Sequence, residues 1–387
     1  MQIRKTGWIE NKASVLTQNQ ANYRVESTPI ELLPEKLPVW LQGISIGRAQ
    51  IIVDQLRSVI SDRKEDPKSQ PAVIWLTATP TQTKPGDETF DPVVPVSIIA
   101  VQGRVTSQEH ADTVTVIHGG PMGPSDNGAP TDNGALINND VSSEAFVELT
   151  EAFDEQMRNR GVKFAQWATD PDPSQEATLQ FECFGFAKLA TLQYMSGQFP
   201  RTHSQLETDR KRNNNARLKP SPVSLRAINV DDAKSLERFV NIVEQTYVDT
   251  LDCPQLNQFR SAAQTISGYQ TSTAYDPSRW FEIVDADDSA IGAVILATHS
   301  EKASELVYMA LIPSARGKGL GHEVMQRVIE EIQIRLSPSE QNITIPQLVL
   351  AVDEKNVPAK RIYEAAGLKP MIRECVWGKH FTDQAMR

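Results

Sequence analysis

The sequence has few cysteines and histidines and contains no long apolar run. Its 387 residues include 3 cysteines and 6 histidines, and these form neither a C-x-x-C pair nor a histidine cluster of the kind that binds zinc. No apolar run approaches the roughly 18 residues that cross a membrane, and the first residues lack the apolar stretch of a signal peptide. We therefore expect a cytoplasmic protein with reduced thiols, no metal site and no membrane association.

Positive charge is also in short supply. With 39 basic against 49 acidic side chains the net charge is −10, which disfavours nucleic acid or an anionic membrane as the main partner. The hydrophobic content of 40% and the charged content of 23% are those of an ordinary globular protein, and the length favours two domains. We expect domains at residues 1–195 and 222–387, joined by a linker at residues 196–221.

The expected linker is rich in polar residues and carries a cluster of basic side chains. This cluster consists of Arg210, Lys211, Arg212, Arg217 and Lys219. Such a segment is typical of a solvated connector, and contact with a nucleotide phosphate is the alternative. No function is assigned to it.

The residues after the linker have the periodicity of strands and amphipathic helices. Their pattern predicts the order β-α-α-β-β-β-α-β-α-β, with helices around Leu236 to Tyr247 and Val324 to Leu336. The first half is less regular, but a helix at residues 43–62 and strands at residues 72–78, 93–101 and 112–118 begin the same order. We therefore predict an α/β protein in which one mixed-sheet fold occurs twice.

A glycine-rich turn joins a predicted strand to a predicted helix within residues 305–322. Small residues let successive backbone N–H groups point into one concavity, and the helix N-terminus adds partial positive charge. The turn therefore suits a pyrophosphate, with Arg316 and Lys318 adding charge, and a tight connection without a ligand is the alternative. A Rossmann motif is disfavoured because His322 stands where the third glycine belongs, and a Walker motif lacks its G-K-[ST].

A second motif follows directly after an apolar strand, and it begins 35 residues after Gly321. It reads Asn356-x-x-Ala359-x-x-x-Tyr363-x-x-x-Gly367-Leu368. Together with Arg316-x-x-Gly319-x-Gly321, it resembles the GNAT superfamily of CoA-dependent N-acetyltransferases. The resemblance covers Val223 to about Trp377, and two-lobed members of the superfamily such as mycothiol synthase are similar in organisation.

The resemblance implies acetyl-CoA as co-substrate, bound around the glycine-rich turn, and no metal. The turn would hold the pyrophosphate, and the strand before it would splay from its neighbour to free backbone groups for the pantetheine arm and the thioester carbonyl. The cofactor-binding residues implied in this way are Met309, Ala310, Leu311, Arg316, Gly317, Lys318, Gly319, Leu320, Gly321, His322 and Asn356. For His322 the alternative is an exposed position in the first helical turn.

Two catalytic roles are also implied. Tyr363 would protonate the departing CoA thiolate, because the pKa of a phenol, about 10, lies near that of a thiol. Glu305 would accept a proton from the amine, since it opens the strand that ends beside the thioester. The alternatives are a half-buried core aromatic for Tyr363 and a solvated strand-edge carboxylate for Glu305.

Acceptor specificity is expected from the irregular segment between Tyr247 and Tyr275, which this family places over the acceptor cleft. The candidates are Tyr247, Asp252, Cys253, Asn257 and Arg260, with helix caps and surface residues as the alternative. Part of this segment resembles a loop of uncharacterised planctomycete members, which indicates no substrate. The two-lobed likeness favours a small-molecule amine over a peptide. A non-catalytic acyl-CoA-binding module and transfer of a longer acyl chain are the other hypotheses.

The first half is predicted to be a degenerate copy that does not turn over acetyl-CoA. Its residues Ser174, Ala177, Phe181 and Gly185 each lie 182 positions before Asn356, Ala359, Tyr363 and Gly367. Phe181 has no proton to donate, and the loop from Gly119 to Asn139 contains no Arg-x-x-Gly-x-Gly. We therefore expect residues 1–195 to have a structural or substrate-shaping role.

Overall fold

The structure, a computed structural model, describes the parts of the chain that form a continuous sheet and the helices that cover it. Described are residues 23–28, 32, 50, 52–53, 56, 72–81, 95–104, 110–121, 143–200, 221–270, 274–300, 302–334 and 345–381. Most of the predicted helix at residues 43–62 and the basic cluster of the linker lie outside these ranges.

The described residues form one 12-stranded sheet and six α-helices. The strands are β1 Tyr23–Ser27, β2 Ala72–Pro80, β3 Val96–Arg104, β4 His110–Pro121, β5 Phe164–Thr169, β6 Ala187–Gln198, β7 Val223–Ala227, β8 Trp280–Asp285, β9 Ala290–Thr298, β10 Ala303–Leu311, β11 Gln347–Asp353 and β12 Lys369–His380. The helices are α1 Ser143–Asn159, α2 Gln175–Cys183, α3 Ala233–Thr246, α4 Ala262–Gln270, α5 Leu320–Ile334 and α6 Val357–Ala365. The predicted α/β mixed-sheet class is therefore confirmed.

The two halves of the chain repeat one pairing pattern. In the first half β1 to β4 pair antiparallel in sequence order and β4 pairs parallel with β5. In the second half β7 to β10 pair antiparallel in the same way and β10 pairs parallel with β11. Because both halves have the same order and the same change of direction, the fold is a tandem repeat.

The repeat extends to the hydrogen bonds around α2 and α6, which begin 182 positions apart. Ser174 caps α2 by accepting from a backbone N–H three residues later, and Asn356 caps α6 in the same way. Both helices end before a glycine with positive φ, Gly185 at 77° and Gly367 at 98°, a backbone conformation that glycine adopts without steric cost. The predicted register between the halves is confirmed at these caps.

The last strand of each half crosses to the other half. Across the centre of the sheet the strand order is β5, β12, β6, β11, so β12 pairs antiparallel with β5 and β6 pairs antiparallel with β11. The two exchanged strands also pair with each other. Each half therefore completes its sheet with a strand of its neighbour, and the predicted boundary at residue 195 falls inside β6.

Alternate side chains of the second-half strands enter two different cores. Val294 and Leu296 pack with α5 and α6 on one face, whereas Ala293 and Ile295 pack with α3 and α4 on the other. This is the two-residue period of a strand that is covered on both faces. The site described below lies where these two layers approach the end of the β10–β11 pair.

Candidate functional site

Strands β10 and β11 separate halfway along their length. Their parallel pairing runs from Ala303 opposite Gln347 to Leu306 opposite Leu350. Beyond that point β10 pairs only with β9, and β11 pairs only with β6. A register shift between Leu306 and Tyr308 marks the place where the strands diverge. The predicted splay is therefore present, and it exposes one edge of the strand that contains Met309, Ala310 and Leu311.

The glycine-rich turn lies at the end of β10 and leads directly into α5. Gly317 and Gly319 have φ of 72° and 78°, and an added Cβ at either would meet no atom within 4 Å. Glycine is thus required there for conformation, not for space. At Gly321 the reason differs, since a Cβ would lie 2.6 Å from Ile362 Cδ1. The exposed turn leads into the N-terminus of α5, whose first backbone N–H groups have no carbonyl one turn earlier in the helix, an arrangement that suits an anion.

The guanidinium of Arg316, which is predicted to bind the cofactor, donates to four backbone carbonyls. Its Nε donates to the Leu311 carbonyl at 2.8 Å, and its Nη2 donates to the Thr246 carbonyl at 2.7 Å. Its Nη1 donates to the carbonyls of Val248 and Asp249. These bonds tie the end of α3 to β10, so the guanidinium stabilises the site through backbone acceptors. The sequence motif carries no signal for this role, because three of the four carbonyls lie 67 to 70 residues away in the chain.

Other predicted members of the turn remain accessible. Lys318 and His322 have exposed side chains, and Leu320 is half-buried against the core that contains α5. The His322 backbone N–H donates to the Gly319 carbonyl at 3.2 Å, which tightens the first turn of the helix. Of the two basic side chains predicted to add charge to the turn, Lys318 is exposed and has no side-chain bond recorded among the described residues. Its charge is therefore available beside the turn.

Tyr363 lies on α6 with only 6% of its surface exposed. Within the described ranges its hydroxyl has no recorded hydrogen-bond partner, although it packs in the same core as Leu350 and Met195. Burial raises the pKa of Tyr363, and the negative charge of Asp252 raises it further. The hydroxyl is therefore neutral at physiological pH and is a hydrogen-bond donor rather than a source of phenolate.

Asp252 and Cys253 are brought to the end of β11 by two reciprocal hydrogen bonds. The Asp353 backbone N–H donates to Asp252 Oδ1 at 2.9 Å, and the Cys253 N–H donates to Asp353 Oδ2 at 3.2 Å. Asp252 keeps contact with solvent, yet many protein atoms surround its carboxylate. Burial therefore raises its pKa, and a hydrogen bond from the Asn356 side chain opposes that shift. Burial also raises the pKa of Cys253, so this thiol is not activated.

The remaining acceptor candidates, Tyr247, Asn257 and Arg260, make contacts with other residues. The Arg260 guanidinium donates to the Gln264 carbonyl at the start of α4. Asn257 lies in a short 3-10 helix, and Phe259 just after it stacks on Phe164 of the first half at 5.9 Å. Tyr247 ends α3, and burial raises its pKa. The structure thus places Asp252 close enough to Tyr363 to affect its pKa, and it places Arg260 close enough to Tyr247 and Tyr269 to affect theirs.

Glu305 lies on β10 one residue before the β10–β11 pairing ends. Its Oε2 is 2.7 Å from His299 Nε2, and about a third of its side chain is exposed. Sequence reasoning missed another residue of this strand, Tyr308, whose hydroxyl contacts Thr246 Oγ1. The Thr246 hydroxyl donates its single hydrogen to the Val243 carbonyl at 2.6 Å. In the contact between Thr246 and Tyr308, Tyr308 is therefore the donor, and its oxygen keeps an acceptor lone pair.

Residues 223–369 match the family model of the acetyltransferase (GNAT) domain. The matched residues contain the strand opening, the glycine-rich turn and Tyr363, and the match stops where the exchanged strand β12 begins. For this part of the chain the indicated class is thus a GNAT acyltransferase domain, a family that uses acyl-CoA as co-substrate.

Several solved structures have a similar course over most of the chain. A GCN5-related N-acetyltransferase from Sphaerobacter thermophilus is 13% identical, with a TM-score of 0.48 over 95% of this chain and 98% of that one. A tandem GNAT protein from the clavulanic acid biosynthesis pathway is 11% identical, with a TM-score of 0.39 over 94% and 99%. A GCN5-related N-acetyltransferase from Kribbella flavida is 9% identical, with a TM-score of 0.40 over 87% and 96%. These TM-scores are too low to support a shared function.

No curated protein matches the sequence, and the similarities above include neither mycothiol synthase nor a planctomycete protein. Across the described ranges, no helix is long and apolar enough to cross a membrane. The same residues contain no group of three or more His, Cys, Asp or Glu side chains that could hold a metal ion.

Proposed function

We propose that the second half of the chain transfers an acetyl group from acetyl-CoA to the amine of a small molecule, in the cytoplasm. The observation that carries this proposal is the β10–β11 opening placed directly before the glycine-rich turn. An extended arm that ends in a pyrophosphate fits this arrangement, because a strand edge with unpaired backbone groups leads to a helix N-terminus. The family match supports acyl-CoA as the donor.

The strand edge from Val307 to Leu311 positions the thioester in this proposal. Backbone N–H groups on that edge donate to the thioester carbonyl and stabilise the negative charge that develops there during attack. Asn356 helps from the side of α6, since its amide bonds Asp252 while its oxygen caps the helix. The fixed geometry of strand and helix keeps these donors in place before the reaction starts.

Glu305 and Tyr363 transfer the protons of the reaction in this proposal. The amine reaches the site as an ammonium ion, and Glu305 accepts one of its protons and passes it to solvent. The nitrogen then forms a bond with the carbonyl carbon as the bond to sulfur breaks, and the departing thiolate receives a proton from Tyr363. The remaining excess proton of the nitrogen restores the Tyr363 hydroxyl. The raised pKa of Tyr363 keeps that hydroxyl protonated until the thiolate appears.

Release of CoA thiol from acetyl-CoA, measured with a panel of amines, tests the proposal. We expect thiol release that depends on at least one amine and on Tyr363. If acetyl-CoA binds and no amine elicits thiol release, the second hypothesis applies, a non-catalytic acyl-CoA-binding module. The same assay with hexanoyl-CoA distinguishes acetyl transfer from transfer of a longer chain, because a longer chain requires apolar space beyond the thioester.

A further inference from the structure

The loop that joins α3 to α4, residues 247–261, has a strained backbone beside the site. Three non-glycine residues of the described ranges have positive φ, and two of them belong to this loop, Asp249 at 52° and Cys253 at 45°. Residues with a side chain rarely adopt this conformation, and it persists only where surrounding contacts hold it. The α3–α4 loop therefore depends on anchors outside itself.

One anchor of the α3–α4 loop is the site itself. Asp252 accepts from the Asp353 N–H at 2.9 Å, and the Cys253 N–H donates to the Asp353 carboxylate at 3.2 Å. Arg316 donates to two further carbonyls of the loop. Burial raises the pKa of Tyr363, and Asp252 is held close enough for its charge to raise it further. The position of this loop therefore sets the electrostatic surroundings of Tyr363.

The other anchor is the first half of the chain. Leu256 and Phe259 of the loop pack in a cluster whose buried members come from β5, β6 and β12, namely Phe164, Leu189 and Val376. Phe259 stacks on Phe164 with a centroid distance of 5.9 Å and an angle of 30° between the rings. At the start of α4, Gln264 Nε2 donates to Asp112 Oδ2 of β4 at 3.2 Å. Strands of the first half thus contact both the loop and the helix that follows it.

Backbone hydrogen bonds connect the two anchors. The Leu256 N–H donates to the Cys253 carbonyl at 2.9 Å, and the Phe259 N–H donates to the Leu256 carbonyl at 2.9 Å. These bonds bracket the 3-10 helix Leu256–Gln258. Because a short hydrogen-bonded element moves as a unit, displacement of Phe259 shifts Cys253 and its neighbour Asp252.

We propose that the first half of the chain positions the α3–α4 loop, and with it Asp252, for the transfer reaction in the second half. Phe164 and Asp112 are positioning residues in this role, because they contact the loop and α4 rather than the reacting atoms. The catalytic consequence rests on the proposed function, whereas the restraint on the loop can be measured without any substrate.

Alkylation of Cys253 by iodoacetamide in the full chain reports the position of the loop. Peptide mass spectrometry separates this thiol from those of Cys183 and Cys375. Burial raises the pKa of the Cys253 thiol, so its reaction in the wild type is slow. Phe164→Leu removes the ring stack and keeps an apolar side chain, and it should raise the rate about two- to tenfold, the value of one aromatic pair.

Two further variants show whether the effect comes from the contact between the halves. Asp112→Ala removes the acceptor of Gln264 from a half-buried position of the first half, and it should raise the alkylation rate of Cys253 by a smaller factor. Phe153→Leu is the matched control. It makes the same change in a separate buried cluster of the first half and should leave the rate unchanged.

Steady-state kinetics with the amine that reacts fastest in the panel provide the second readout. Phe164→Leu should lower kcat/KM for that amine about two- to tenfold and leave acetyl-CoA affinity unchanged in calorimetry, because the glycine-rich turn is untouched. Wild-type alkylation in Phe164→Leu and Asp112→Ala, an equal rise in Phe153→Leu, or faster alkylation with wild-type kcat/KM would overturn the inference. If no amine reacts with the wild type, the proposed function fails, and the alkylation rates still decide whether the first half holds the loop.

Discussion

The two halves of the protein open their sheets at the same place, yet residues 116–120 beside the first opening are buried, whereas residues 307–311 beside the second are partly exposed. In the first half, β4 and β5 pair in parallel up to Val116 opposite Trp167 and then separate. In the second half, the pairing ends in the same way at Leu306 opposite Leu350. The backbone that suits an acyl-CoA arm therefore occurs twice in this chain. The difference between the halves lies in the side chains.

Aromatic residues and one amide fill the opening of the first half. Trp167 packs against Phe181 at 4.6 Å and against Phe184 at 6.0 Å between ring centroids. Gln180 Nε2 donates to the Gly119 carbonyl at 2.9 Å and so satisfies a strand-edge acceptor. Gly119 and Gly120 belong to β4, although the sequence analysis placed them in a loop. This half is thus closed by a packed core.

Smaller side chains stand at the matching positions of the second half. Leu350 replaces the tryptophan by strand register, and Ala366 and Ile362 replace Phe184 and Gln180 at a separation of 182 positions. The side chains of leucine, alanine and isoleucine offer the strand edge no hydrogen-bond donor, and residues 307–311 of β10 remain partly exposed. The comparison indicates that the same backbone opening is buried in one half and partly exposed in the other because the side chains differ in volume.

A phenylalanine at the second-half position that corresponds to Phe184 should have the largest effect, which is on acetyl-CoA affinity. Ala366→Phe puts at α6 the ring that Phe184 has at α2, and we expect acetyl-CoA affinity to fall at least about a hundredfold, or about 2.7 kcal/mol. Calorimetry with acetyl-CoA measures the change. Ala365→Phe is the matched control, because Ala365 is the exposed neighbour on the same helix. Unchanged affinity in Ala366→Phe would show that the openings are not equivalent.

Exchanging Tyr363 and its first-half counterpart Phe181 should have the next largest effect, which is on turnover. Tyr363→Phe should lower kcat about a hundredfold with little change in acetyl-CoA affinity, because a donor to the leaving group acts in the transition state. Steady-state kinetics and calorimetry measure the two quantities. The reciprocal Phe181→Tyr should give no new turnover, and its buried hydroxyl should cost about 1 to 3 kcal/mol of stability. Wild-type kcat in Tyr363→Phe would remove this residue from the mechanism.

A change of glycine in the turn should have a smaller effect on binding. Gly319→Val forces a branched side chain into positive φ, which costs about 1 to 2 kcal/mol. We expect the free turn to relax out of this conformation, and because acetyl-CoA binding must then restore it, the affinity should fall about five- to thirtyfold. Gly161 has a φ of 70° and equally free surroundings in the first half. Gly161→Val therefore controls for strain, and calorimetry on it should give wild-type affinity. If both variants bind equally well, the turn does not hold the phosphates.

The smallest expected effect is on the pH dependence of stability and involves Asp252, the carboxylate at the end of β11. Its pKa is raised above the value of about 3.9 expected in the unfolded chain. The native state thus holds its proton more tightly, and the stability linked to it is present below the unfolded pKa and lost as pH rises through the native pKa. Asp252→Asn should make the decline of unfolding free energy from pH 4 to 7 shallower.

Urea titrations at several pH values measure this slope. The exposed hairpin carboxylate Asp287 provides the matched control, since Asp287→Asn changes the same group at an exposed position and should leave the slope unchanged. An identical slope for wild type and Asp252→Asn would contradict the assignment. Because Asp252 keeps contact with solvent, the expected change is modest.

Periodicity predicted most described elements of the second half within a few residues. The helices predicted around Leu236 to Tyr247 and Val324 to Leu336 are α3 and α5, and Asp232 caps α3 by accepting from Ser235 N–H. Such features depend on neighbours in sequence, so local pattern is enough. The loop predicted from Gly119 onward was wrong at Gly119 and Gly120, because both residues belong to β4 and pair with β3. A local sequence pattern does not show such a pairing with another strand.

The sequence by itself determined the glycine-rich turn, the motif around Tyr363 and the 182-residue repeat, because positive φ, helix capping and duplication are properties of neighbouring residues. The tertiary structure alone decided the exchange of β6 and β12, the carbonyl partners of Arg316 and the stacking of Phe259 on Phe164. These features join residues far apart in the chain. A strand edge accepts any partner with compatible backbone groups, so which strand pairs there depends on the packing of the whole sheet.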